Sequence, residues 1–169
     1  MKVTAMEEYG LRCILQLALA QTDDPVSVAL VAKNEGISTE YAGKLLNLLR
    51  RAELVESVRG RKGGFVLANP PEEISLADIL RVFSPELFDV KYCNRFTGAE
   101  DICVHTTSCA LRPVWWTLSS LVTETLESIS LMDVMCEESE VQRKLNIPLG
   151  ITGPVDQRLF QISDNAQPE

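Results

Sequence analysis

Apolar residues recur at helical spacing through most of the first 83 positions, and Ser, Thr, Gly and Pro interrupt them at the points where elements should begin and end. A first helix is predicted from Thr4, where Thr4 and Glu7 form a capping-box pair, with Leu11, Ile14, Leu15, Ala18 and Leu19 on one face. It stops before Asp23-Asp24-Pro25. Ser27 can cap a short second helix through Val28, Val31 and Ala32 that ends at Gly36. Ser38 can cap a third, with Tyr41, Leu45, Leu48 and Leu49 turned inward. A short helix, a tight turn and a longer helix form a helix-turn-helix pattern.

The period then changes. Leu54-Val55-Glu56-Ser57-Val58 favours a strand, Arg59-Gly60-Arg61-Lys62-Gly63-Gly64 is a basic glycine-rich turn, and Phe65-Val66-Leu67-Ala68 returns until Asn69-Pro70-Pro71 stops it. This is a β-hairpin with a basic tip. Ser75 and Asp78 form a second capping pair, which opens a fourth helix through Ile79, Leu80, Val82 and Phe83 up to Ser84-Pro85. From Glu86 to Ala110 no periodicity is evident, and a loop of that length in a compact protein is usually functional. A fifth, longest helix is predicted from Leu111, with Pro113 in its first turn and Leu111, Val114, Trp115, Leu118, Val122, Leu126, Ile129 and Met132 on one stripe, about six turns in all. The chain from Asn146 is rich in Pro, Gly, Gln and Asp and reads as a poorly ordered tail. There is no internal repeat.

The fold class is therefore mainly α with a small β-hairpin wing. The 169 residues suffice for one domain and an appendage, and 46% are apolar, enough for a core. No stretch is long and apolar enough for a membrane span, and no secretory signal precedes the first helix, so a cytoplasmic location is expected. The net charge of −8 argues at face value against a nucleic-acid partner. Its distribution does not. Residues 38–64 carry six basic side chains against three acidic ones, and the acidic excess lies elsewhere.

A recognition helix meets DNA with polar side chains at its N-terminal end, and here that end offers Ser38, Thr39, Glu40, Tyr41 and Lys44. Arg59, Arg61 and Lys62 on the hairpin tip can meet phosphates or a minor groove. Gly43 is unusual inside a helix, and close approach of a DNA backbone is one reason to keep it. A helix-turn-helix can also serve as a protein adaptor, but the following basic wing favours DNA. An enzyme is not expected: there is no phosphate-cradling loop between a strand and a helix, and the single histidine offers no triad.

Three of the five cysteines, Cys93, Cys103 and Cys109, cluster in the unpatterned loop. In a reducing compartment such a cluster reads as metal or redox chemistry, because thiolates bind iron–sulfur clusters and zinc. His105 lies between two of them and Glu8 is a more distant fourth-ligand candidate; three unligated loop thiols are the plain alternative. Cys13 sits within an apolar helix and reads as core packing, and Cys136 has no assigned role.

The segments Glu8-Tyr9-Gly10-Leu11-Arg12, Gly36-Ile37-Ser38, Leu54–Gly60, Gly63–Ala68 and Glu73–Asp78, with the three-cysteine loop before a long helix, resemble the Rrf-type winged-helix repressors. That family includes the iron–sulfur cluster regulator and the nitric-oxide-sensing repressor. The resemblance covers roughly residues 1–136, and its most specific part is the Arg-Gly to Gly-Gly wing. It implies a homodimer paired through the helix from Leu111, reading a palindromic double-stranded DNA operator. It implies a [2Fe–2S] or [4Fe–4S] cluster on Cys93, Cys103 and Cys109, with a carboxylate at the place of Glu8, donated by the partner subunit, completing the site in some members. In the cluster regulator a histidine stands at the place of Arg112 and a glutamate at that of Gly43.

The expected organisation is a winged helix-turn-helix domain at 1–83, a cysteine-bearing cofactor loop at 84–110, a dimerisation helix at 111–136 and a C-terminal extension at 137–169. The expected function is a dimeric DNA-binding regulator, a repressor, that senses redox state, nitric oxide or iron through an iron–sulfur cluster. One rival keeps the DNA binding but makes the thiols themselves an oxidation or metal switch. Another is a small iron–sulfur electron carrier or a zinc-stabilised adaptor.

Overall fold

The computed structural model describes residues 3–20, 24–60, 62–84, 97, 99 and 102–145. The chain divides into two compact units, residues 1–135 and 136–169.

In the first unit, α1 (Ala5–Leu19), α2 (Val28–Glu35) and α3 (Thr39–Arg51) form the helical half of the head. Each begins where a side-chain oxygen meets an otherwise unpaired backbone N–H. Thr4 accepts from Glu7 N, Ser27 from Leu30 N at 3.2 Å, and Ser38 from Tyr41 N at 3.1 Å. Gly36 closes α2 in the left-handed region at φ 66°, where glycine meets no Cβ penalty, and so sets the turn into α3. Glu53, just past α3, is also left-handed (φ 60°), and Leu54 N bonds back to Leu49 O at 3.1 Å to reverse the chain toward the wing.

β1 (Val55–Val58) and β2 (Gly64–Leu67) pair antiparallel, with Val55 opposite Leu67 and Val58 opposite Gly64. A third, one-residue rung joins them: Val26 and Phe65 exchange both backbone hydrogen bonds at 2.9 Å. That rung explains Gly64, because a Cβ there would lie 2.3 Å from Val26 O. α4 (Leu76–Phe83) starts with the Ser75–Asp78 capping box, as its sequence predicts.

α5 (Arg112–Glu127) is shorter than the sequence predicts. The apolar stripe runs on to Met132, but the helix stops at Glu127, and Ser130 then pairs with Ser75 while Leu131 N bonds to Ile74 O at 2.7 Å. The cause is local. Ser130 and Asp133 cap each other, Asp133 N to Ser130 Oγ at 3.2 Å and Ser130 N to Asp133 Oδ2 at 3.0 Å, and open a 3-10 turn at Met132–Val134. The turn sends Leu131, 1% exposed, into the core.

That core holds Cys13, Ile14, Val31, Leu45, Leu46, Leu49, Val55, Ile74, Ile79 and Leu131, so it joins α1 to α4, the wing and the chain after α5. Each buried Leu or Ile contributes roughly 1.5–3 kcal/mol. The inner face of α1 is offset from the predicted one. Gly10, Cys13, Ile14, Leu17 and Ala18 are buried, whereas Leu19 is 45% exposed. Gly10 sits under the Phe83 ring, where a Cβ would come within 2.2 Å of Cε2, and this contact draws the α1 axis onto α4. In α3, Leu46 is fully buried although the pattern pointed to Leu48, which is half-buried.

The second unit contributes α6 (Glu138–Lys144). The predicted tail from Asn146 lies outside the described residues. Among the described residues no helix is long and apolar enough to cross a membrane.

Candidate nucleic-acid interface and thiol loop

The N-terminal end of α3 is open to solvent. Ser38, Thr39, Glu40 and Lys44 are exposed; Tyr41 is half-buried, its ring edge-on to Tyr9 with centroids 6.1 Å apart at 77°. Tyr41 is thus braced by α1. The next exposed turn adds Asn47 and Arg50, residues the sequence reading did not single out: Asn47 Nδ2 donates to Gly43 O at 2.8 Å, and Arg50 Nε donates to Asn47 Oδ1 at 3.4 Å. Their signal was available, since both lie on the polar face of a strongly amphipathic helix. Arg50 and Arg51 also occupy its last turn, where cations complement the helix dipole.

Gly43 has room for a side chain. A Cβ would meet only Val28 Cγ1, at an ordinary 3.7 Å. At the wing tip, Gly63 N bonds to Gly60 O at 3.0 Å and Gly60 takes φ 126°, a conformation open to glycine. A Cβ on Gly63 would lie 2.6 Å from Val58 O. Arg59 precedes this tight turn and Lys62 lies within it, both exposed; Arg61 lies outside the described residues.

The cysteine loop is described from its second thiol onward. Cys103 and Cys109 are both half-buried and free, and Cys93 lies outside the described residues. Thr106 N bonds to Cys103 O at 3.2 Å and Arg112 N bonds to Cys109 O at 3.3 Å. The Arg112 guanidinium reaches back and donates to the carbonyls of His105 and Thr106 at 3.0 and 2.9 Å. It therefore ties the segment between the two thiols to the first turn of α5. His105 itself is exposed.

Glu8 sits half-exposed on α1 and pairs with Arg12, whose Nε is 2.7 Å from Glu8 Oε1. That hydrogen bond, together with the charge of Glu8, raises the Arg12 pKa. The Arg12 guanidinium also lies over the Tyr9 ring, 5.6 Å from its centroid. Any role of Glu8 as a ligand has to compete with this pair.

Cys13 is a different kind of thiol. Burial, reinforced by the Glu35 charge, pushes its pKa up to about 12, so it stays protonated and unreactive.

Two half-buried thiols on one loop suit sulfur chemistry, whether toward a thiophilic metal or toward an oxidant. Among the described residues, however, no three His, Cys, Asp or Glu side chains converge on a common point, so those residues alone assemble no ligand set.

Glu7, which the sequence marks only as a capping residue, is 4% exposed. Its carboxylate takes a hydrogen bond from the Ser84 hydroxyl, at the root of the thiol loop, and one from Thr4 N. Burial alone would raise its pKa; the Ser84 hydroxyl and the Thr4 donors outweigh that and hold it below the usual carboxylate value.

A braced recognition helix, a one-rung third strand and a basic glycine wing define a winged helix-turn-helix DNA-binding protein. The comparisons with known proteins agree. Residues 3–137 match the Rrf2 family model, described as iron-dependent transcriptional regulator, and the chain belongs to the Rrf2 family, a family of DNA-binding regulators and not of enzymes. It is 34% identical over 143 residues to the HTH-type transcriptional regulator IscR of Aliivibrio salmonicida, covering 85% of this chain and 82% of that one. Among solved structures it is similar to CymR, the global cysteine regulator of B. subtilis, with 30% identity, a TM-score of 0.66 and coverage of 80% of this chain and 96% of that one. It is also similar to the oxidized form of Staphylococcus aureus CymR, with 28% identity, a TM-score of 0.61 and coverage of 81% and 98%.

Proposed function

We propose that this regulator is a cytoplasmic homodimeric repressor whose thiol loop sets its affinity for a palindromic operator. The dimer reading rests on α5, where Val114, Trp115, Leu118 and Leu121 are each at least 40% exposed in the single chain. A second copy would cover that apolar face, and its twofold symmetry would match two half-sites. Ser38, Thr39, Glu40, Tyr41 and Lys44 would read bases, and Arg59, Arg61 and Lys62 would hold the flanking backbone.

The observation that carries the sensing step is the pair of half-buried free thiols, Cys103 and Cys109, on a loop pinned to the start of α5. A relative solved in an oxidized form lends the same reading weight. Hydrogen peroxide would convert two such thiols to a disulfide, with the two thiol hydrogens and the peroxide leaving as two waters. Direct capture of a thiophilic metal would act on the same loop.

The family's description as iron-dependent favours a second reading of that site. Cys93, Cys103 and Cys109, with Glu8 of the partner subunit or with His105, would then hold an iron–sulfur cluster, which supplies a centre sensitive to oxidants and nitric oxide.

Anaerobic purification, an absorbance spectrum and an iron and sulfide assay on wild type and Cys103→Ala decide between the two. A colourless protein that takes up no iron under reconstitution, and whose operator affinity changes more than tenfold on peroxide treatment, supports the thiol switch. A brown protein whose colour Cys103→Ala removes supports the cluster. Operator affinity that ignores both treatments refutes loop control.

A further inference from the structure

The start of α5 has Pro113 in its first turn but no side-chain cap. Its N-cap is Leu111, which offers no side-chain acceptor, and its first turn has no acidic residue. Arg112 is the first helical residue, so a full positive charge sits at the positive end of the helix dipole, where it is unfavourable. Against that placement, the guanidinium bridges the carbonyls of His105 and Thr106. The same residue's N–H donates to the Cys109 carbonyl, and Thr106, one end of the bridge, donates through its own N–H to Cys103 O. One side chain therefore touches the chain between the two thiols, and its own backbone begins the helix that follows.

We infer that Arg112 is the positioning residue that couples the chemical state of the Cys103–Cys109 segment to the first turn of α5. The inference rests on the thiol-loop reading above. Joining or ligating the two thiols would reshape residues 104–108. The two carbonyls would turn away from the guanidinium, and the first turn, which has no cap of its own, would be released. With the bridge intact, the loop holds both sulfurs half-buried. Without it, the loop is freed at its centre while both thiols remain.

Two variants of the full-length protein test this. Arg112→Gln removes the charge and the fork; Arg112→Lys keeps the charge but loses the planar pair of donors. The first readout is the iodoacetamide alkylation rate at Cys103 and at Cys109, followed peptide by peptide. A rise of about tenfold at both thiols in both variants is expected, the factor matching loss of one charge-assisted hydrogen-bond bridge. The second readout is the ratio of DNA affinities between reduced and peroxide-treated protein, on a labelled duplex selected from a random library by the reduced wild type. That ratio is expected to fall toward one in both variants, with the reduced-state affinity within twofold of wild type.

Unchanged alkylation rates overturn the inference whatever the DNA readout gives. So does Arg112→Lys behaving as wild type, since charge without the fork would then be enough. A wild-type ratio of one refutes thiol control itself, and the alkylation rates then judge the bridge alone. Should Arg112→Gln fail to fold, Arg112→Lys is judged by the same two readouts.

Discussion

Gly43→Ala separates what the recognition helix needs for folding from what it needs for DNA. Glycine inside a helix costs roughly 1 kcal/mol relative to alanine, through the backbone freedom it loses on folding. Among the described residues no packing constraint offsets that cost. A Cβ at Gly43 would meet a single neighbour, Val28 Cγ1, at 3.7 Å, which is ordinary contact. The carbonyl of Gly43 already accepts from Asn47 Nδ2 and would continue to do so. Gly43→Ala should therefore stabilise the fold by about 1 kcal/mol, which raises Tm by roughly 2–4 °C in a chain of this size. If the missing side chain is kept for the approach of DNA, the same change should weaken operator binding by about tenfold, near the cost of one disturbed base contact. It removes no charge, so the dependence of affinity on salt should keep its slope. Thermal unfolding and fluorescence anisotropy at two salt concentrations measure all three. A higher Tm with unchanged affinity would refute the DNA explanation for Gly43, and a lower Tm would refute the packing on which the estimate stands.

Two further outcomes follow from buried ionisable groups. Cys13 is protonated in the fold up to about pH 12, whereas an unfolded thiol ionises near 8.5, so above that pH the unfolded chain binds fewer protons and stability falls as pH rises. Chemical denaturation from pH 7.5 to 9.5 should show wild type losing stability faster than Cys13→Ala, with the difference approaching ~1.4 kcal/mol per pH unit; parallel curves would count against it. Glu7 is shifted the other way: its stabilisation is present above the unfolded carboxylate pKa and is lost as pH falls through the lower folded value. Ser84→Ala, by stripping a hydrogen bond from that buried carboxylate, should cost about 1–3 kcal/mol at pH 7 and flatten acid unfolding, as read by circular dichroism.

Helix starts were legible because their chemistry is local. Thr4, Ser27, Ser38 and Ser75 each accept the backbone N–H that their sequence position predicts. The wing was legible for a similar reason, since strand period and glycine clustering sit within about ten residues of each other. What failed to show was set by contacts remote in sequence. The α1 face turned because Gly10 lies beneath Phe83 of α4, and no pattern within α1 encodes that. The end of α5 was hidden for the opposite reason. Ile129 and Met132 keep the helical step, and the competing signal, Ser130 with Asp133, repeats the Ser75–Asp78 pair at the head of α4 but was masked by the longer apolar stripe. When a capping pair and a continuing stripe compete, a buried partner waiting on another element decides, and here Ile74 takes Leu131.

The thiol loop shows why the site residues were harder to read than the fold. Cysteines announce chemistry by type, but what a change at sulfur does depends on how the loop is anchored, and the anchors carry no motif. At one root Ser84 holds Glu7, inside the capping box that starts α1. At the other, Arg112 holds the loop's own carbonyls and begins α5. Away from both roots, Arg81 of α4 pairs with Asp78 at 2.9 Å and reaches Glu127 at the far end of α5. The surface ion pairs are each worth little, so they do not by themselves fix α5 against the head. The Glu7–Ser84 hydrogen bond and Leu131 are instead buried, where breaking a contact costs more. A distortion arising at Cys103 and Cys109 would therefore be taken up at the weaker root, the uncapped first turn of α5, while the root at Ser84 and the recognition helix behind it keep their internal geometry. With the thiol loop as the proposed sensor, such a change would alter the relative setting of two heads in a dimer without unfolding either one, and two half-sites at fixed spacing would detect it.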